Sequence, residues 1–155
     1  VRKKNLQIWD IDKTVTTFFG TRIYPKAKER FNKIDWKNSD LWFITGRSDL
    51  MTDVTTRLIK RLTTEKFKIY FYKFGAFSFK KYLQFKRSYF RRALRNYDRI
   101  DVYDDRLDVL FNLMSVEHSK KVNIYLSINK KYIKIRNIEH LLTFVNTKLK
   151  RNTKK

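Results

Sequence analysis

Short apolar runs of strand length alternate along the chain with amphipathic helical stripes, and this alternation restricts the possible folds more than any other feature. Residues 6–9, 41–44, 69–72, 100–103 and 122–126 are runs of branched and aromatic side chains, each long enough for one strand. Between them apolar residues recur at helical spacing. Leu50, Val54, Leu58 and Leu62 follow Ser48, which suits an N-cap; Phe85, Tyr89, Phe90, Ala93, Leu94 and Tyr97 form a second stripe. Leu107, Leu110, Leu113 and Met114 form a third, and Ile138, Leu141, Leu142, Val145 and Leu149 a terminal one, each most simply read as facing a core. Strand, helix, strand, helix at this rhythm predicts an α/β fold with a central, mostly parallel five-stranded sheet and helices on both faces. The run 127–135, turning at Asn129 and Lys130, predicts a C-terminal hairpin into an added edge strand. One Pro and three Gly punctuate the chain with no linker or repeat, so residues 1–150 are expected to form a single domain and 151–155 a basic tail. The first residue is Val, which is compatible with a piece of a longer protein.

Charge narrows the partners. The 37 Lys and Arg outnumber 15 Asp and Glu and leave a net charge of +22, so polyanions are the natural ligands, nucleic acid before any other. Without Cys there is no disulfide frame, and His118 and His140 are too few and too far apart in sequence for a zinc site. No apolar run approaches the ~18 residues of a membrane span. The expectation is therefore an intracellular protein of the cytoplasm, nucleus or a viral replication compartment, with no membrane partner.

In open α/β sheets ligands bind outside the carboxyl ends of the strands. Asp10 and Asp12 follow the first run, Thr45, Gly46 and Arg47 the second, and Asp104, Asp105 and Arg106 the fourth. Four of the 15 acids thus gather at one sheet edge, where they repel unless a cation intervenes. Magnesium, a hard ion taking carboxylate, water and phosphate oxygens, meets that need. The plain alternative is that these are polar loop residues and caps of the following helices.

At these residues the chain resembles the haloacid dehalogenase superfamily of phosphohydrolases. The segment WDIDKTV (9–15) is similar to its D-x-D-x-T motif, with Lys13 where glycine is usual, and FITGR (43–47) to its strand-terminal Thr or Ser. VYDDR (102–106) looks like its acidic motif in the D-D-R form of polynucleotide 3'-phosphatases and related RNA-repair domains. The remaining motif is a lysine near a helix start, for which Lys86 is preferred over Lys80 and Lys81. The resemblance implies a Rossmann-like fold in which Asp10 attacks phosphorus and Asp12 serves as general acid and base. It further implies that Thr45 and Lys86 hold phosphoryl oxygens, Thr14 orients Asp10, and Mg²⁺ is held by Asp10, the carbonyl of Asp12, and Asp104 or Asp105. Gly46, Arg47 and Arg106 then fall at the substrate, the two arginines either gripping a second phosphate or pairing with a neighbouring acid.

Thirty residues separate Thr14 from Thr45, room for a flap (16–24) and a helix (25–31), and 38 separate Arg47 from Lys86; neither gap holds a cap domain. An open site of this kind admits a polymer end. Cations at 80–99, among them Arg87, Arg91, Arg92 and Arg95, are interleaved with aromatics, a pattern that suits single-stranded or end-phosphorylated DNA or RNA. The expected activity is thus Mg²⁺-dependent phosphate removal from a nucleic-acid end, most plausibly a 3'-phosphate, in repair or processing. The other readings are a nucleic-acid-binding module of a larger protein with little or no turnover, and a phosphatase for a small metabolite or phosphoprotein.

Overall fold

The computed structural model describes residues 3–17, 20–73, 78–116 and 120–152; Gly75 and His118 lie outside them. Six strands and five helices follow in the order β1 (Asn5–Trp9), α1 (Pro25–Phe31), β2 (Ser39–Ser48), α2 (Thr52–Leu62), β3 (Lys68–Tyr72), α3 (Phe79–Asn96), β4 (Arg99–Asp104), α4 (Leu107–Ser115), β5 (Val122–Ile128), β6 (Lys131–Ile135) and α5 (Ile138–Asn152). They form one sheet of order β3-β2-β1-β4-β5-β6, parallel throughout except for β6. The hairpin turn at Asn129 and Lys130 makes β6 the sixth strand, and Asn129 takes the left-handed conformation (φ 53°) that asparagine tolerates. The chain's single Pro opens the first turn of α1, where its missing N–H costs nothing.

From β1 the chain winds outward to β2 and β3, then returns to place β4 on the other side of β1. Right-handed crossovers on the outward path put α1 and α2 on one face; the reversal puts α3 and α4 on the other. Strand alternation serves both faces. Leu6, Ile8, Ile44, Ile100 and Val102 meet Phe90 of α3, Val109 and Leu113 of α4 and Leu141 of α5, whereas Trp9, Leu41, Phe43 and Tyr103 meet Phe31 of α1 and Leu58 and Ile59 of α2. The described residues contain no inserted cap: between Asp12 and α1 there is only a short flap in which Thr16 bridges Ile23. No helix among them is long and apolar enough to cross a membrane.

Two stripes face the core less fully than their spacing predicts. Leu50 is 76% exposed and Val54 45%, because Ser48 caps a 3₁₀ turn (Asp49–Met51) and the helix proper begins at Thr52, burying Thr55, Leu58 and Ile59. In α5 Leu141 is buried, while Ile138 (38%) and Leu142 (48%) are partly exposed. His140 is a helix-terminal residue, its Nδ1 accepting the Arg136 N–H at 3.1 Å.

Candidate active site

The reversal of strand order falls between β1 and β4, so the crevice expected of such a sheet opens where these two strands end. Trp9 and Tyr103 are register partners, and the Asp10 N–H donates to the Tyr103 carbonyl at 2.9 Å, which sets Asp10 beside Asp104. Both carboxylates are buried. Across from them α3 turns inward a stripe of Lys86, Phe90, Ala93 and, just past its end, Tyr97, the same face that carries the helix's core contacts. Lys86 thereby enters a buried position, where its Nζ donates to Asp10 Oδ1 (3.0 Å), Asp104 Oδ2 (3.1 Å) and the Ile44 carbonyl on β2 (2.5 Å). Three adjacent strand ends are joined through one ammonium group. Lys80 and Lys81, in the first turn of α3, are exposed.

The electrostatics are unbalanced. Burial pushes the Asp10 carboxyl well above the usual carboxylate range, Asp104 pushes it further, and Lys86 offsets only part of this. At Lys86 burial acts downward, yet Asp10 and Asp104 together outweigh it and hold the ammonium well above an ordinary lysine. The two directions agree: Lys86 sees two carboxylates, but each carboxylate sees one lysine and another acid. Half-buried Asp105 adds a third acid, and one oxygen from each of Asp10, Asp104 and Asp105 lies within 4.8 Å of the others. Three carboxylates against one ammonium leave two negative charges on an all-oxygen donor set, which fits a hard divalent cation.

Asp12 stands on the loop after β1. The N–H groups of Thr14, Val15 and Thr16 all donate to the Ile11 carbonyl, and Lys13 takes φ 59°, a conformation that glycine adopts more cheaply. Arg47, fully buried, holds Asp12 with a fork: its Nη2 lies 2.8 Å from Oδ1 and its Nε 3.0 Å from Oδ2. The same guanidinium donates to Thr55 Oγ1 at 3.3 Å and the Gly20 carbonyl at 3.0 Å. Thr45 is buried, its Oγ1 accepting the Arg47 N–H at 3.1 Å. Thr14 is also buried, and its Oγ1 has no hydrogen-bond partner among the described residues. Gly46 lies against Tyr82, whose ring a Cβ would approach within 3.2 Å. Arg106 forks onto Asp108 (Nη2 to Oδ2, 2.8 Å) and gives Asp104 only its backbone N–H, while its guanidinium rests 4.8 Å from Phe79 and 5.1 Å from Tyr82.

Asp10, Asp104, Asp105 and Lys86 therefore share one cluster, with Asp12, Thr45 and Arg47 beside it. Arg91, Arg92 and Arg95 do not join it. They are exposed further along α3, Arg92 above the Trp42 ring at 5.9 Å, and Arg87 is half-buried. The sequence places Tyr82 only among the aromatics interleaved with cations; it sits four residues before Lys86, and so on the same helix face, with its ring centroid 5.7 Å from Nζ. Sequence reasoning missed Thr55, which no local pattern marks. No family model matches the chain, and no curated protein matches it. Fold and site together define a mostly parallel α/β protein with a buried acidic cluster, bridged by lysine and open to a metal ion, at the carboxyl edge of its sheet.

Proposed function

We propose that the chain is a Mg²⁺-dependent phosphatase of the haloacid dehalogenase type, acting on phosphorylated nucleic-acid ends. The observation that carries this reading is Lys86 Nζ held between Asp10 and Asp104, with Asp12 two residues beyond the first carboxylate. Asp10 would attack phosphorus while the bond to the leaving oxygen breaks and Asp12 gives that oxygen its proton. Water would then attack the aspartyl-phosphate, passing a proton back to Asp12 and restoring the free Asp10 carboxylate. Lys86 and Thr45 serve the non-bridging oxygens, and Arg47 fixes the direction of Asp12. Asp10, the Asp12 carbonyl and Asp104 or Asp105 would hold Mg²⁺, which would supply the charge neutralisation that lets an anionic carboxylate approach an anionic phosphate.

A polymer end as substrate is supported by the absence of a cap among the described residues and by the net charge of +22. A nucleic-acid-binding module without turnover is favoured by one observation, that Arg47 occupies both carboxylate oxygens of Asp12. Incubation with Mg²⁺ and a panel of 3'-phosphate oligonucleotides, 5'-phosphate oligonucleotides and nucleoside monophosphates tests the reading. Release fastest from the 3'-phosphate polymer is expected. Binding of the polymers without release from any substrate would favour the module.

A further inference from the structure

On the sheet face that carries α1 and α2, those helices lie over β1 and β2 through Phe31, Leu58 and Ile59, while α3, α4 and α5 pack on the other face. The near side of β4, β5 and β6 is met by Lys26 and Arg30 of α1 and, at its β5–β6 end, by the loop that follows β1. Along it runs a ladder of flat-stacked rings in one register row: Trp9 on Tyr103 (centroids 3.8 Å apart, 7° between planes) and Tyr103 on Tyr125 (4.6 Å, 7°). The ladder begins in the core at Trp9 and ends at half-exposed Tyr125, whose register partner on β6 is the exposed Lys134. Arg30 of α1 sits beside the stack, its guanidinium 5.4 Å from the Tyr125 ring and 5.8 Å from Tyr103. Arg99, its side chain 58% exposed, adds a third cation.

Asp101, in the same face of β4, is buried, accepts from Gln7 (2.7 Å) and Asn123 (2.9 Å), and lies 3.6 Å from the Arg99 guanidinium. The face is thus cationic around an aromatic stack whose last ring has no further ring upon it among the described residues. It is also continuous with the candidate active site. Tyr132 Oη donates to the Thr14 carbonyl at 2.7 Å and Ser127 Oγ to the Lys13 carbonyl at 2.9 Å, so the loop bearing Asp12 rests on β5 and β6.

We propose that this face of β4, β5 and β6 is a track for single-stranded nucleic acid, a base extending the Trp9–Tyr103–Tyr125 stack while Arg30, Arg99 and Lys134 meet phosphates. Stacking on a ring tolerates any base and cations track the backbone, which is the chemistry of sequence-independent single-strand binding. That the strand leads to a reacting end rests on the phosphatase reading; the track itself does not.

Fluorescence anisotropy with an oligothymidylate of about 15 nucleotides ending in a 3'-hydroxyl measures binding without turnover. Tyr125→Ala is expected to weaken binding about tenfold, within the range for loss of one stacked base, and Tyr125→Phe to keep it. The double neutralisation Arg99→Gln, Lys134→Gln, in which the amide introduced at position 99 can still donate to Asp101, should weaken binding more than the matched neutralisation Arg91→Gln, Arg95→Gln on α3. Long-chain inorganic polyphosphate, which has charge but no bases, should bind Tyr125→Ala as it binds the parent. A larger loss from the α3 pair, or equal loss on both polymers in Tyr125→Ala, would overturn the proposal. Hydrolysis of a small chromogenic phosphate by the parent, assayed in parallel, reports on the phosphatase reading alone.

Discussion

Lys86 is outnumbered by the carboxylates it bridges, and this imbalance fixes how single changes at the cluster should act. Asp10 has a folded-state pKa raised above its ordinary 3.8, so the folded chain holds that proton to higher pH than the unfolded chain does. Its contribution to stability is therefore fullest at low pH and is lost as pH rises from about 4 through the folded value. Without divalent metal, Asp10→Asn should raise the unfolding free energy at neutral pH by about 0.5–2 kcal/mol while abolishing turnover, the trade-off of a site built for function. Lys86→Met leaves the two buried acids facing each other and should cost about 3–5 kcal/mol. Urea unfolding of the two variants checks both signs, and a destabilised Asp10→Asn would mean that Lys86 offsets the repulsion completely. The acids were legible in the sequence because each ends an apolar run. Their partners were less so: Arg47 and Asp12 lie 35 positions apart, and only the packing of β2 beside β1 brings them together. Arg106 had two acids just before it in sequence, yet helix geometry gives its fork to Asp108.

At the scale of elements, α2 shows why a stripe can mislead. Steps of four residues advance about 40° beyond a full turn, so Leu50 and Leu62 would point about 120° apart even in one unbroken helix. The buried arc centres on Leu58 and Ile59, which are 1% and 0% exposed. Leu58→Ala should accordingly cost about 2–5 kcal/mol, and Leu50→Ala stay within about 0.5 kcal/mol, in thermal or denaturant unfolding. The remaining elements were readable because their apolar runs or stripes are dense, but the extension of β2 to Ser39–Ser48 was not, since its ends are polar and are held by strand pairing and by distant partners such as Tyr97, whose Oη donates to Asp40 at 2.7 Å. Lys26 ties α1 to the β5–β6 turn, donating to Ser127 Oγ (2.7 Å) and the Asn129 carbonyl (3.0 Å). Burial lowers its pKa from 10.5 to about 8, with Asp105 opposing the shift. Between those values the folded chain has shed the proton and the unfolded chain retains it, so this group's contribution to stability rises with pH across that window. The unfolding free energy of the parent should gain on that of Lys26→Gln from pH 8 to 10. A difference that stays flat would place the lysine's titration outside the window.

For the whole molecule, charge and topology pull in different directions. The apolar residues of both faces hold the sheet, while a net charge of +22 repels itself in the compact state. Added sodium chloride should raise the thermal midpoint by screening that repulsion, and the same salt should weaken oligonucleotide binding. With ~5 phosphates neutralised on a single strand, the slope of log K against log salt should lie near about −3.5. A midpoint that falls with salt would show that attractive pairs outweigh the excess charge. Fold class followed from the alternation of runs and stripes, but strand order did not, because every parallel arrangement of these runs has the same local pattern. The reversal between β1 and β4 is a property of the assembled sheet, and it decides which strand ends become neighbours.

In the proposed phosphatase Asp10, beside Asp104 and Lys86, is the nucleophile of a Mg²⁺-dependent reaction. Phosphate release from a 3'-phosphorylated oligonucleotide, measured for the parent and Asp10→Asn with Mg²⁺ and again in excess EDTA, tests that role most directly. The parent is expected to release phosphate only with Mg²⁺ and to recover when Mg²⁺ is restored after chelation, and Asp10→Asn to lose several orders of magnitude in rate. Release by Asp10→Asn at the parent's rate, or by the parent in excess EDTA, would contradict the proposal.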